Sequence, residues 1–172
     1  MAAQHQHSDT MAILMDAGVI DTGSRALLVA AGEGCGASVK LLLEQQQLES
    51  SPTGLVEYVN FRNPFGYTPL FGSIGVSPGV VCFPRVVQLL VDAGADTAYA
   101  FQDLDRGEID VSETPLALVN RFIRENNVWA GEEATEEQLH GLEAVRRLLM
   151  RVEAVHAVSW LWHTDAPIAQ RI

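Results

Sequence analysis

Hydrophobic positions along the chain recur at helical spacing in a series of short segments. Leu27, Ala30 and Ala31 form one such group, Val39, Leu41, Leu42 and Leu43 the next. Further on come Val86, Val87, Leu89 and Leu90, then Leu116 and Val119, and finally Leu142, Val145, Leu148 and Leu149. Each group gives one apolar stripe on a helix of two to four turns. The polar punctuation agrees. Thr68-Pro69 and Thr114-Pro115 place a hydroxyl where it can accept from an unpaired N–H, with proline in the first turn, where its missing donor costs nothing. Thr135 with Gln138 makes a capping box, and Gly94 supplies a left-handed residue to end a helix. The pattern predicts an all-α chain.

The helices are not independent, because the same frame recurs. In Asn63–Asp96 the residues Gly66, Thr68, Pro69, Leu70, Val86, Val87, Leu89, Leu90, Gly94, Ala95 and Asp96 stand in the order of an ankyrin repeat, which this segment resembles. Gly23, Leu27, Ala30, Ala31, Gly34, Val39, Leu41, Leu42 and Leu43 fit the same frame, and a third copy starts at Thr114, Pro115 and Leu116 and resumes at Ala144, Val145, Leu148 and Leu149. The resemblance implies an ankyrin-repeat helical solenoid with hairpin-like finger loops. Each helix pair there buries its apolar face only against its neighbours, so that no repeat is stable alone. The histidine usual after Thr-Pro-Leu is replaced by Leu28, Phe71 and Ala117, so stability must lean on apolar stacking.

The spacing departs from the family. Leu27 to Leu70 is 43 residues and Leu70 to Leu116 is 46, against a period of about 33. The excess is expected as a lengthened loop over 49–62, with Ser51-Pro52-Thr53-Gly54 as a turn, and as smaller insertions over 76–84 and 99–112. The largest insertion, 123–139, extends a first helix and adds a loop bearing Trp129. Residues 1–10 are expected to be disordered and 11–164 to form the ankyrin-repeat domain. Within it lie a capping helix at 11–18, repeats at about 19–48, 60–98 and 108–151 and a C-terminal capping helix at 152–164 that closes the stack; 165–172 is a tail.

Composition narrows the choice of partners. Eleven basic residues against 22 acidic ones give a net charge of −11, a field that repels phosphate backbones and anionic lipid. The densest basic group, Arg146, Arg147 and Arg151, lies among leucines on a helix and falls short of a phosphate-binding cluster. With 48% hydrophobic residues the chain is apolar enough to fold, yet no apolar run approaches the length of a membrane span. No signal-peptide pattern precedes Met11, and Cys35 and Cys82 are expected as free thiols, so the expectation is a cytoplasmic monomer that binds neither nucleic acid nor membrane.

Catalytic patterns are weak. Asp21-Thr22-Gly23 matches the aspartic-protease tripeptide, but a second copy to share the proton is missing. Gly32, Gly34 and Gly36 alternate as in a phosphate loop, without a preceding strand or a following Lys-Ser/Thr. Ser73 lacks the flanks of a nucleophile elbow. His156 and His163 share a helical face near Asp165, a thin metal set at a helix end. No cofactor and no catalytic residue is assigned.

What remains is a surface. In ankyrin proteins the partner lies against the fingertips and the exposed side of each first helix. Here those positions are Asp21, Ser24 and Glu33, then Arg62, Phe65 and Tyr67, with Pro64 between them. The third set is Asp103, Asp105, Glu108, Asp110 and Glu113, with Arg121 and Phe122. The second finger is aromatic, the residue type that makes interface hot spots, and the third is acidic, suited to steering a basic partner. Inserted loops folding over the aromatics would be the alternative. The expected function is a non-catalytic protein-binding module. An inhibitor or immunity-type protein that neutralises a basic toxin or nuclease is the alternative, and a metal-dependent enzyme a third possibility.

Overall fold

The computed structural model describes residues 24–49, 51–74, 82–102, 112–129 and 132–164. Seven helices are found among them: α1 (Arg25–Gly32), α2 (Gly36–Glu49), α3 (Pro52–Val59), α4 (Pro69–Ser73), α5 (Pro84–Asp92), α6 (Pro115–Glu125) and α7 (Glu136–Thr164). Two antiparallel ladders of two strands accompany them. β1 (Phe101–Gln102) pairs with β2 (Ser112–Glu113), and β3 (Asn127–Trp129) with β4 (Glu132–Glu133). The chain is mostly helical. The helix proposed for 11–18 and the insertion around 76–81 lie outside the described residues.

The caps form as the sequence implies. Thr68 Oγ1 accepts from the Phe71 N–H at 3.3 Å, and Thr114 Oγ1 from the Ala117 N–H at 3.2 Å. Thr135 and Gln138 close their box in both directions, at 2.7 and 3.3 Å. Gly94 has φ +94, and its N–H reaches the Val91 carbonyl at 3.0 Å.

Packing follows a ladder. α1 lies on α2 and α4, α4 on α5, and α6 on α7, while α2 packs on α5 and α5 on α7. The buried set runs through every rung: Leu27 and Ala31 of α1, Val39 and Leu42 of α2, Leu70 and Phe71 of α4, Val86, Val87 and Leu90 of α5, Leu118, Val119 and Phe122 of α6, and Leu142, Val145 and Leu149 of α7. Neighbouring turns interlock as well. Gly34, at φ +70, leaves room that the Phe83 ring fills, since a Cβ at position 34 would overlap that ring. Gly141 lies so close to Cys82 that its Cβ would stand 3.3 Å from the Cys82 carbonyl oxygen.

Two expectations need correction. Residues 52–59 form a helix rather than a loop. Ser51 Oγ accepts from the Gly54 N–H at 3.3 Å, so Ser-Pro here acts as a helix start just as Thr-Pro does at Thr68. Leu55, Tyr58 and Val59 at helical spacing then supply a stripe that joins the core. The C-terminal cap over 152–164 is not a separate helix either. α7 runs unbroken for 29 residues because nothing between Met150 and Val155 breaks it. The residues from Glu153 to Val158 are all exposed instead of closing the stack.

Two substitutions test this packing by denaturant unfolding. Gly34→Ala combines a strained left-handed φ with a clash on Phe83, and is expected to lose more than about 1 kcal/mol. Ser38 is 2% exposed on α2, and its Oγ is buried without a hydrogen-bond partner. Ser38→Ala is expected to gain about 1 kcal/mol by removing an unpaired hydroxyl; a loss of that size would show that the hydroxyl stabilises the fold.

Candidate protein-interaction surface

The aromatic finger is built on asparagine. Asn63 accepts on its side-chain oxygen from the Phe65 N–H at 3.0 Å and from the Tyr67 N–H at 2.9 Å. Its backbone closes the same turn: the Gly66 N–H donates to the Asn63 carbonyl at 2.8 Å, and the Asn63 N–H donates to the Tyr67 carbonyl at 3.1 Å. Gly66, at φ +85, permits the reversal. Phe65 sits at the tip with 65% of its surface in water.

A second layer holds that turn against the body. The Tyr99 hydroxyl donates to the Gly66 carbonyl at 3.1 Å, the Arg62 guanidinium lies 4.0 Å over the Tyr99 ring, and that ring meets Phe71 edge-on at 6.0 Å. Asn60 braces the neighbouring chain. Its amide donates to the carbonyls of Val56 at 2.9 Å and Gly94 at 3.0 Å, and its oxygen accepts the Asp96 N–H at 2.7 Å. Asp96 in turn accepts from the Ala98 and Tyr99 N–H groups at 2.9 and 3.1 Å. A fixed backbone under an exposed ring lowers the ordering cost of binding.

The base of the acidic finger is also fixed. Phe101 pairs with Glu113 and Gln102 with Ser112 across the β1–β2 ladder. Glu113 and Arg121 then meet in a two-pronged bridge, both prongs 2.8 Å, which ties the strand to α6. Arg121 also reaches Glu125 at 3.8 Å and lies 5.2 Å over the Phe122 ring.

The residues proposed from sequence separate accordingly. Phe65 and Glu33 are exposed, and Arg62 is exposed while stacked on Tyr99. Tyr67 is half-buried and packs against the core, so it supports the finger rather than presenting it. Glu113 and Arg121 neutralise each other. Two positions are corrections: Ser24 is 6% exposed, and Phe122 is 2% exposed. Phe122 comes one helical turn after Leu118 on the buried stripe of α6, so it belongs to the core. Asp21, Asp103, Asp105, Glu108 and Asp110 lie outside the described residues. Sequence reasoning passed over Asn60, Asn63 and Tyr99. Asn63-Pro64 carried a turn signal that could have flagged the first finger; the Arg62–Tyr99 stack joins residues far apart in sequence and left no local trace.

Other chemistry finds little support in the geometry. The Ser73 hydroxyl donates to the Leu70 carbonyl at 2.8 Å and is fully buried. His156 is exposed, while the His163 side chain and Asp165 lie outside what is described. Among the described residues no group of three His, Cys, Asp or Glu could hold a metal ion, and no helix is long and apolar enough to cross a membrane. Compared with protein-family models, curated proteins and solved structures, the chain matches none.

The two thiols are poor nucleophiles. Burial pushes the Cys82 thiol up to about 12, and burial with the nearby Glu33 charge raises that of Cys35. Alkylation at mildly alkaline pH is expected to leave Cys82 unmodified until the chain unfolds. Because the folded value lies above the ordinary one of 9.0, the contribution of Cys82 to stability is whole below pH 9 and is lost as pH climbs towards 12. Cys82→Ala should flatten the alkaline limb of a stability-versus-pH curve; an unchanged limb would count against the assignment.

Proposed function

We propose that this chain is a non-catalytic protein-interaction module of the ankyrin type, which holds a partner protein through its finger loops. The pairing of α1 with α2, α4 with α5 and α6 with α7, and the row formed by α2, α5 and α7, support that architecture. The observation that carries the functional reading is Phe65, an exposed ring on a turn closed by four hydrogen bonds to one asparagine. Evenly solvated loops do not place a large aromatic at the tip of a braced turn, whereas binding surfaces use such rings as anchors.

The partner has a basic face. The net charge of −11 supports this, together with the acidic run that continues the β1–β2 hairpin in sequence from Asp103 to Glu113. Charge of this kind raises association rates and falls off with salt. The same charge supports a more specific second reading, an inhibitor or immunity-type protein that covers the basic site of a toxin or nuclease. Affinity that does not change between low and high salt would count against both.

Phe65 is tested by replacing it with a photo-crosslinking aromatic and comparing adducts with those from the same group at exposed Leu48 on α2. A defined adduct from position 65 alone is expected. Phe65→Ala should weaken capture of that adduct partner by about 30-fold, the effect of a hot spot of about 2 kcal/mol, with melting unchanged. Tyr67→Ala should instead lower the melting temperature. A Phe65→Ala protein that melts early would place the ring in the core and remove the basis of this reading.

A further inference from the structure

Between Glu57 and Arg85 the sequence holds one charged residue, Arg62. The aromatic finger is thus an uncharged stretch with a single cation in it, on a chain whose net charge is −11. Arg62 is exposed, and its guanidinium lies 4.0 Å over the Tyr99 ring. The N–H groups of a guanidinium lie in its own plane, so stacking on a ring leaves them for acceptors elsewhere. Among the described residues none takes them: the ion pairs found there join Lys40, Arg121, Arg124 and Arg146 to glutamates. Asp96, three residues before Tyr99, holds the Ala98 and Tyr99 N–H groups with its Oδ1.

Arg62 and Phe65 flank Asn63, whose side chain closes their turn. Tyr99 joins them from behind. Its ring carries Arg62, and its hydroxyl donates at 3.1 Å to the carbonyl of Gly66, the residue after Phe65. One brace therefore serves both the exposed ring and the exposed cation. An arginine loses rotamer freedom when it pairs, and the stack on Tyr99 has removed part of that freedom beforehand.

We propose that Arg62 reads a single carboxylate of the partner protein, an Asp or Glu side chain beside the pocket that receives Phe65. The inference rests on the reading of Phe65 as the anchor of a partner. A guanidinium offers paired donors in a planar fork, and a carboxylate accepts them with both oxygens. A phosphorylated residue carries nearly two negative charges, and a nucleic-acid backbone many; either would meet one cation here and the −11 field around it. The sign of Arg62 also fixes orientation. The acidic run over 103–113 attracts a basic face, whereas Arg62 repels one. A basic partner with one carboxylate therefore docks in the orientation that satisfies both fingers, and turning it round sets like charges together.

A random heptapeptide library displayed on phage tests this. It is panned against the full chain and against Phe65→Ala, and peptides that bind only the former are kept. The net charge favours basic peptides everywhere, so an Asp or Glu enriched at one position among otherwise basic sequences reports a local contact. The best such peptide is then made with that acid and with the corresponding amide. The amide is expected to bind the wild type at least about 10-fold more weakly than the acid. Against Arg62→Gln the two should bind alike, and against Arg62→Lys, which keeps the charge without the fork, the difference should be smaller than in the wild type. If Arg62 merely braces Tyr99, its replacement weakens both peptides equally. That result, or Phe65-dependent peptides without a fixed acid, overturns the carboxylate assignment and leaves the reading of Phe65 standing. Tighter binding of the same peptide with phosphoserine in place of the acid overturns it in favour of a phosphorylated partner. Finding no Phe65-dependent peptide overturns both readings.

Discussion

Close approach between the turns of successive helix pairs is the constraint on which the rest of the structure depends. The Phe83 ring occupies the space that a side chain at position 34 would need, and a Cβ on Gly141 would press on the Cys82 carbonyl oxygen at 3.3 Å. These contacts set the distance from α2 to α5 and from α5 to α7. Val39, Val86, Val87, Leu90 and Val145 are buried between those helices only because the turns allow it. Individually the helices are short, α4 with five residues and α1 and α3 with eight each. Helices of that length are held by tertiary packing rather than by propensity.

Two further elements attach to this ladder without loosening it. α3 lays Tyr58 and Val59 into the core and ends at Asn60, the residue that ties it to Gly94 and Asp96. The β3–β4 ladder follows α6, where Asn126, at φ +51, reverses the chain and its side chain donates to Glu133 at 3.1 Å. The polar braces do more than satisfy backbone groups. They fix the finger that carries Phe65 from two directions, through Asn63 within the turn and through Tyr99 and Arg62 behind it. An exposed ring on a loose loop would lose its freedom on binding; here most of that cost has been met in folding.

Phe65 stands at the tip of a braced turn, whereas the other exposed large apolar side chains, Val29, Leu48, Val56, Met150, Val155 and Val158, all lie on helices.

Helix positions, caps and much of the core were legible along the chain because they depend on near neighbours. Thr68, Thr114, Thr135 and Gln138 cap as their spacing implies, and the valine and leucine groups are buried as their periodicity implies. Local signals were ambiguous where one dipeptide serves two structures. Ser51-Pro52 reads equally as a turn or a helix start, and the choice was made by a core willing to take Tyr58 and Val59. Phe122 reads as exposed from its place in a repeat frame, yet α6 runs long enough to turn it inward beside Leu118 and Val119. The exposure of Val155 and Val158 could not be read at all, since an apolar stripe has the same spacing whether or not anything lies against it. Local order along a chain sets capping and periodicity; which face meets another element depends on where distant segments end, and that is decided only when the helices pack.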